Sequence, residues 1–212
     1  MTKLDTILKT KKIYLIRHGQ TDFNRLGIVQ GRGVDSSLNE IGQKQAADFY
    51  SCYQAVPFDK VYTSNLRRTM ETVSGFINDG IGHHALPGLD EIHWGSKEGK
   101  PFDEKDHQEY QEVTEQWSRG NTHLRIAGGE SPDQVQTRQK ESLDHIMSNG
   151  HEQTVLICMH GRAIRIFLCL LLDYPLKHMN LFPHHNTGLY RITYTGSYFR
   201  LDKANCISHL RL

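Results

Sequence analysis

Short apolar runs alternate along the chain with longer stretches in which apolar residues recur at helical spacing. Three runs dominated by β-branched, aromatic and other large apolar residues predict buried strands, at Ile13–Ile16, Phe58–Ser64 and Thr154–Met159. A helical pattern follows each run. Strands that alternate with helices favour a mainly parallel sheet covered by helices on both faces. The predicted fold class is therefore α/β, a three-layer α/β/α arrangement around a mostly parallel central sheet.

Capping residues mark the starts of two helices. Asn39 is a suitable N-cap for a helix that Pro57 would end. The stripe predicted to face the core from this helix comprises Ile41, Gln45, Phe49, Cys52 and Val56. Ser131, with Pro132 next and Gln134 three residues on, has the form of a capping box and predicts a second helix.

Turn residues and polarity predict the secondary structure of the remaining segments. Residues 21–37 contain several glycines and predict a loop. A short strand is expected near Ala85, and two further strands, Asn186–Tyr194 and Ser197–Leu201, predict a hairpin. The mostly polar segment 101–127 predicts one or two helices.

The length of 212 residues suits one α/β domain, so residues 1–212 are interpreted as a single domain. Within it, residues 101–127 are interpreted as a helical insertion that covers the functional site. With 25 basic and 24 acidic residues the net charge is +1, which gives no reason to expect nucleic acid or an anionic membrane as a partner.

The four cysteines are widely spaced, which favours free thiols in a reducing compartment. Residues 1–12 lack the apolar core of a signal peptide. The most apolar run, Ala163–Leu172, is interrupted by Arg165 and is too short to span a bilayer. These features predict a cytoplasmic protein.

Polar clusters directly follow the three clearest strands. They are Arg17-His18-Gly19, then the segment from Ser64 to Arg68, then His160-Gly161. Ligands bind outside the carboxyl ends of strands in such sheets, so neighbouring parallel strands would bring the three clusters together. Arginine forks and helix starts suit a phosphoryl dianion.

The segment Leu15-Ile16-Arg17-His18-Gly19-Gln20-Thr21-Asp22-Phe23-Asn24 resembles the signature of the histidine phosphatase superfamily, also called the phosphoglycerate mutase-like family. Further stretches resemble the family's other blocks in the same order. These are 27–42, Ser64-Asn65-Leu66 with Glu71-Thr72, 89–99, and Met159-His160-Gly161.

The resemblance implies a role for each matching residue. His18 would be the nucleophile that accepts the phosphoryl group, and Glu91 the proton donor to the leaving group. Arg17 and His160 would assist catalysis and bind phosphate. The remaining phosphate-binding candidates are Asn24, Gly161 and either Arg68 or Arg67, with the alignment favouring Arg68.

The implied activity is metal-independent hydrolysis of small phosphorylated metabolites by a histidine acid phosphatase-type enzyme, without a cofactor. Two alternatives stay open: a cofactor-dependent phosphoglycerate mutase, which uses the same histidine, and a non-catalytic module that binds a phosphorylated ligand. A homodimer also stays open. The pairs His83-His84 and His184-His185 do not indicate a metal site, because adjacent histidines do not readily converge on one ion.

Overall fold

The computed structural model describes residues 10–210, and a six-stranded sheet forms their centre. The strand order is β3-β2-β4-β1-β5-β6. The first four strands in that order run parallel, and β5 and β6 run antiparallel to their neighbours. The strands are β1 (Lys11–Arg17), β2 (Lys60–Thr63), β3 (His83–Ala85), β4 (Thr154–Met159), β5 (Leu189–Tyr194) and β6 (Phe199–Cys206).

Strand β1 lies in the middle of the sheet and is buried on both faces. Ile13 and Leu15 belong to one apolar cluster, whereas Tyr14 and Ile16 belong to the other. Side chains alternate between the faces of a strand, so a strand buried on both sides reads as a continuous apolar run. This is why the sequence pattern located β1 and β4 well, and β4 has the predicted bounds.

Six α-helices lie around the sheet in the described part of the chain. They are α1 (Asp22–Arg25), α2 (Glu40–Tyr53), α3 (Arg67–Asn78), α4 (Glu104–Ser118), α5 (Pro132–Ser148) and α6 (Gly161–Leu171). Helices α2 and α3 pack on one face of the sheet, and α5 and α6 pack on the other. The three-layer α/β/α prediction is confirmed.

Helix α2 begins where Asn39 predicts, but the face that it turns to the core differs in part from the predicted one. The Asn39 side chain accepts a hydrogen bond from the backbone N–H of Gly42. The buried residues are Gly42, Ala46 and Phe49, while Ile41 is 51% exposed and Cys52 is also exposed. Within the predicted stripe, Phe49 and Val56 do pack in the core, whereas Ile41 and Cys52 were wrong, because small residues let this helix approach its neighbours closely.

The predicted loop 21–37 contains the short helix α1. Thr21 and Asn24 form a capping box: the Thr21 hydroxyl accepts from Asn24 N, and the Asn24 side chain accepts from Thr21 N. The predicted capping box at Ser131 is confirmed, with the Ser131 hydroxyl accepting from Gln134 N.

The segment 101–127 contains one helix, α4, which Asp103 caps. Trp117 on its inner side is buried and donates its indole N–H to the carbonyl of Leu124 at 2.8 Å. Helix α4 packs beside the short 3₁₀ helix Leu176–Leu181. The interpretation of this segment as an insertion within a single domain stays a prediction.

The hairpin of β5 and β6 matters for the site because β5 is antiparallel to β1. Leu189 at the start of β5 pairs with Ile16 near the end of β1. The residues just before β5 therefore reach the same edge of the sheet as the residues just after β1. Among residues 10–210 no helix combines the length and the apolar character needed to cross a membrane.

Candidate active site

The three polar clusters meet at one edge of the sheet, as the strand order requires. Arg17 pairs with Met159, and Thr63 pairs with Cys158, so β1, β4 and β2 end side by side. The ring centroids of His18 and His160, which directly follow two of these strands, are 5.2 Å apart. Residues distant in the sequence thus form one buried site.

His18 is held in a single tautomer. Its Nδ1 lies 2.7 Å from the carbonyl oxygen of Gly19, and because a carbonyl only accepts, Nδ1 carries the proton. Burial lowers the pKa of His18 well below 6.5, and the charges of Arg68 and Arg17 act in the same direction. The ring is therefore neutral near pH 7, and Nε2 holds a free lone pair.

Arg17 has an unused hydrogen-bond donor in its guanidinium. Its Nη1 donates to the carbonyl of His184 at 2.9 Å and lies 3.3 Å from His184 Nδ1. Its Nε is buried and has no hydrogen-bond partner among residues 10–210. Burial also lowers the pKa of Arg17 to about 10. A buried donor without a partner is costly unless a ligand accepts from it, so Arg17 is suited to an anion.

The structure places Arg68 in the site and Arg67 outside it. Arg68 is fully buried, and its Nε donates to His160 Nδ1 at 3.2 Å. Its Nη1 and Nη2 donate to the carbonyls of Val34 and Gly31. Arg67 is exposed and lies 3.4 Å from the Ser37 hydroxyl. Of these two arginines, only Arg68 can therefore add its charge to the site.

Both ring nitrogens of His160 already have partners within the protein. Nδ1 accepts from Arg68, so Nε2 carries the proton and donates to the Ser64 hydroxyl at 2.8 Å. Burial lowers the pKa of His160 well below 6.5, and the nearby positive charge of Arg68 lowers it further. His160 thus lies against His18 as a second neutral imidazole, and its role in binding phosphate stays a prediction.

Glu91 is fixed at the start of α6 by backbone donors. Its Oε1 accepts from Ile92 N at 2.9 Å and from Ala163 N at 2.8 Å. Its Oε2 accepts from Arg162 N at 3.0 Å. Arg138 supports this loop by donating to the carbonyl of Glu91 and to other nearby carbonyls. Each carboxyl oxygen has about two acceptor sites, so Oε2 has capacity left for a proton.

Arg17, His18 and Glu91 line a cavity of about 150 Å³. A water molecule takes about 30 Å³ in the liquid, so the cavity accommodates a group the size of phosphate. Its lining comprises Arg17, His18, Asn24, Ile28, Val29, Gln30, Glu91, Trp94, Tyr110, Gly161, Arg162 and His184. Asn24, Glu91 and Gly161 thus line the same cavity as His18, and their roles stay predictions.

Gly19 and Gly161 allow close packing around His18. A Cβ atom at Gly19 would lie 2.6 Å from the carbonyl oxygen of Gly42, and one at Gly161 would lie 3.1 Å from His184 Nδ1. The Gly19 N–H donates to the Thr72 hydroxyl, which ties the segment after β1 to α3.

Sequence reasoning missed several residues of the site. His184 and Asn186 precede β5, and Asn186 donates to the carbonyl of His18 at 3.0 Å. The signal that could have located them is the hairpin strand beside β1, which starts at the functional edge. Arg162 and Tyr110 also line the cavity. No cluster of metal-ligating residues lies within 10–210.

The fold and the site together define a class of protein. It is a three-layer α/β protein that sets a neutral histidine nitrogen beside buried arginines in a cavity of phosphate size. The sequence model of the histidine phosphatase superfamily (branch 1) matches residues 13–207, and the chain belongs to that family.

The similar proteins bear names of two kinds, phosphatase and mutase. The chain is 29% identical over 203 residues to "Putative phosphoserine phosphatase 2" of Hydrogenobacter thermophilus, covering 95% of this chain and 98% of the relative. It is 30% identical over 192 residues to the probable phosphoglycerate mutase GpmB of Yersinia pestis, covering 88% and 86%.

Solved structures agree with the fold. YhfR of Bacillus stearothermophilus superposes with a TM-score of 0.83 at 29% identity, covering 94% of this chain and 98% of that one. The α-ribazole phosphatase of Shigella flexneri superposes with a TM-score of 0.81 at 25% identity, covering 92% and 96%.

Proposed function

We propose that this protein hydrolyses phosphomonoesters of small metabolites through a phosphohistidine intermediate on His18. One observation supports this most directly. Gly19 fixes the proton on Nδ1 of His18, which leaves the lone pair of Nε2 in a cavity lined by Arg17, whose Nε has no partner among residues 10–210. A nucleophile and an anion-binding fork thus share one cavity.

In the first step the Nε2 lone pair attacks phosphorus. The N–P bond forms while the P–O bond to the alcohol breaks, and the electron pair leaves with the alcohol oxygen. Glu91, through Oε2, gives that oxygen its proton. Arg17 and Arg68 balance the charge of the phosphoryl oxygens throughout, which lowers the energy of the transition state.

In the second step water attacks phosphorus and releases His18. Glu91 takes the proton of the water, the N–P bond breaks, and its electron pair returns to Nε2. Inorganic phosphate then leaves. None of these steps calls for a metal ion, so activity should persist in a chelator.

The test uses p-nitrophenyl phosphate, which reports hydrolysis by colour. The wild-type protein should turn it over, and vanadate should inhibit it. His18→Ala should reduce turnover to background, and label from ³²P-substrate should appear in the wild type but not in this variant. His123→Ala, at an exposed position outside the site, is the matched control. Turnover that survives His18→Ala would refute the mechanism.

A phosphoglycerate mutase is the second candidate, because the Yersinia pestis relative carries that name. It would use the same histidine but return the phosphoryl group to a second hydroxyl. Supplying 3-phosphoglycerate with 2,3-bisphosphoglycerate separates the two, since a mutase forms 2-phosphoglycerate and a phosphatase releases inorganic phosphate. Binding of phosphate without either product would identify a non-catalytic module.

A further inference from the structure

Arg162 lies in the first turn of α6 and lines the same cavity as His18. Its guanidinium carbon lies 5.7 Å from the ring centroid of Trp94 and 5.5 Å from that of Trp117. The two indoles are themselves in contact, with centroids 5.7 Å apart. Cation–π contacts with two buried rings hold the guanidinium in place, so little entropy remains to be lost when it binds a ligand.

The polar partners of the Arg162 guanidinium are all neutral. Nη1 donates to the Asn180 side-chain oxygen at 2.9 Å, and Nη2 lies 3.5 Å from the Tyr110 hydroxyl. Within residues 10–210 no carboxylate forms a salt bridge with Arg162. The guanidinium is therefore a held cation at the cavity wall that forms no direct ion pair within residues 10–210.

The phosphoryl group does not require this third charge. A phosphomonoester carries up to two negative charges, and two positive charges already act at His18: Arg17, which lines the cavity, and Arg68, which is buried behind it. Arg162 adds one positive charge, and a single carboxylate is the group that would match it. A planar guanidinium also fits a carboxylate in a two-bond fork.

We propose that Arg162 binds a carboxylate of the substrate, so that the protein prefers phosphomonoesters with an acid group a few bonds from the phosphate. This inference rests on the proposed function and names its substrate class. Trp94 and Tyr110 would flank the short carbon chain between the two anionic groups, because both line the cavity beside Arg162.

The kinetic test compares two substrates that differ at one group. 3-Phosphoglycerate carries a carboxylate where glycerol 3-phosphate carries a hydroxymethyl group. The wild type should show the larger kcat/KM with 3-phosphoglycerate. Arg162→Gln should lower that value by about tenfold, the size of one charge-assisted hydrogen bond, and change the glycerol 3-phosphate value by less than about twofold. Arg162→Lys should restore part of the preference.

The ratio of the two kcat/KM values is taken within each variant, so a loss of folded protein lowers both values equally and cancels. Arg200→Gln is the matched control, because Arg200 is exposed on β6 and pairs with Asp202 away from the cavity. It should leave both values unchanged. An equal loss on both substrates in Arg162→Gln, or no wild-type preference, would overturn the inference.

A binding experiment separates this inference from the proposed function. His18→Ala is expected to leave substrates intact, so calorimetry can compare the affinities of the same two compounds in that variant and in the double variant with Arg162→Gln. Selective loss of 3-phosphoglycerate affinity supports the carboxylate site even if p-nitrophenyl phosphate is not hydrolysed. Equal affinities in both proteins reject it even if hydrolysis is observed.

Discussion

Gly19→Ala should impair the site through the backbone alone. The new Cβ would lie 2.6 Å from the carbonyl oxygen of Gly42, and 3.1 Å from its carbonyl carbon and its Cα. Comfortable contacts between heavy atoms lie at about 3.5–4.0 Å, so one segment must move by about 1 Å. Gly42 is fixed inside α2, capped by Asn39, and Gly19 carries the carbonyl that orients His18.

The displacement gives two magnitudes. Overpacking in a closely packed region costs about 1–3 kcal/mol of unfolding free energy. A shift of about 1 Å in a catalytic group costs about 10²-fold in rate. Gly19→Ala should therefore lower kcat for p-nitrophenyl phosphate by about 10²-fold, whereas the loss of stability leaves most of the protein folded at 25 °C.

Gly82→Ala is the matched control. Gly82 has no positive φ, and its new Cβ would meet only the flexible end of Lys60, at 3.2 Å from Nζ. Alanine at such a position stabilises a protein by up to about 1 kcal/mol, through the unfolded chain. Urea unfolding gives the stabilities and steady-state kinetics gives kcat. Full activity in folded Gly19→Ala would refute the claim that this contact positions His18.

Three further changes test other parts of the site. Arg68→Ala should lower kcat/KM by at least about 10²-fold, because a buried positive charge near the phosphate is lost. Arg67→Ala should change kcat/KM by less than about twofold, because that side chain is exposed. Similar losses in the two variants would contradict the choice of Arg68 as the phosphate-binding arginine. Glu91→Gln should slow alkyl phosphates by about 10²–10⁴-fold but p-nitrophenyl phosphate much less, since p-nitrophenolate leaves without a proton; equal losses would rule out proton donation. The free energy of unfolding should fall as the pH drops below about 6.5, the pKa of histidine in the unfolded chain, and should keep falling toward the lowered pKa values of the folded state. Each buried neutral histidine contributes about 1.4 kcal/mol per pH unit. A urea midpoint that does not change between pH 7 and pH 5 would contradict this prediction. The histidines concerned are His18 and His160, whose pKa values burial lowers well below 6.5, and His184, whose pKa burial lowers to about 3.

The parts of the fold that the sequence predicts well are those in which burial is uniform or capping is local. Strand β4 is buried almost throughout, so its apolar run and its observed bounds coincide. Ser131 and Gln134 satisfy each other within one helical turn, so their spacing is enough to place the start of α5. Such features depend on few residues beyond their own segment.

The features that were missed depend on contacts between distant segments. The buried face of α2 follows from close approach at Gly42, where a Cβ would lie 2.0 Å from the carbonyl oxygen of Gln20. Hydropathy gives glycine and alanine little weight, so Ile41 dominated the pattern although it faces solvent. His184 reaches the site only because β5 pairs with β1, and sheet order is not encoded within either strand.

The choice between Arg67 and Arg68 shows how helix phase can resolve what a motif leaves open. The buried residues of α3 are Arg68, Thr69, Thr72, Val73 and Phe76, a stripe at helical spacing. Arg68 lies one turn before Thr72 and two turns before Phe76, so it shares their face, whereas Arg67 is rotated by about 100° toward solvent. The apolar pair Val73 and Phe76 alone fixes that face from the sequence. An arginine on the buried face needs acceptors, and the carbonyls of Gly31 and Val34 together with His160 provide them. Its charge is therefore retained inside the protein beside His18, where a phosphoryl dianion can use it.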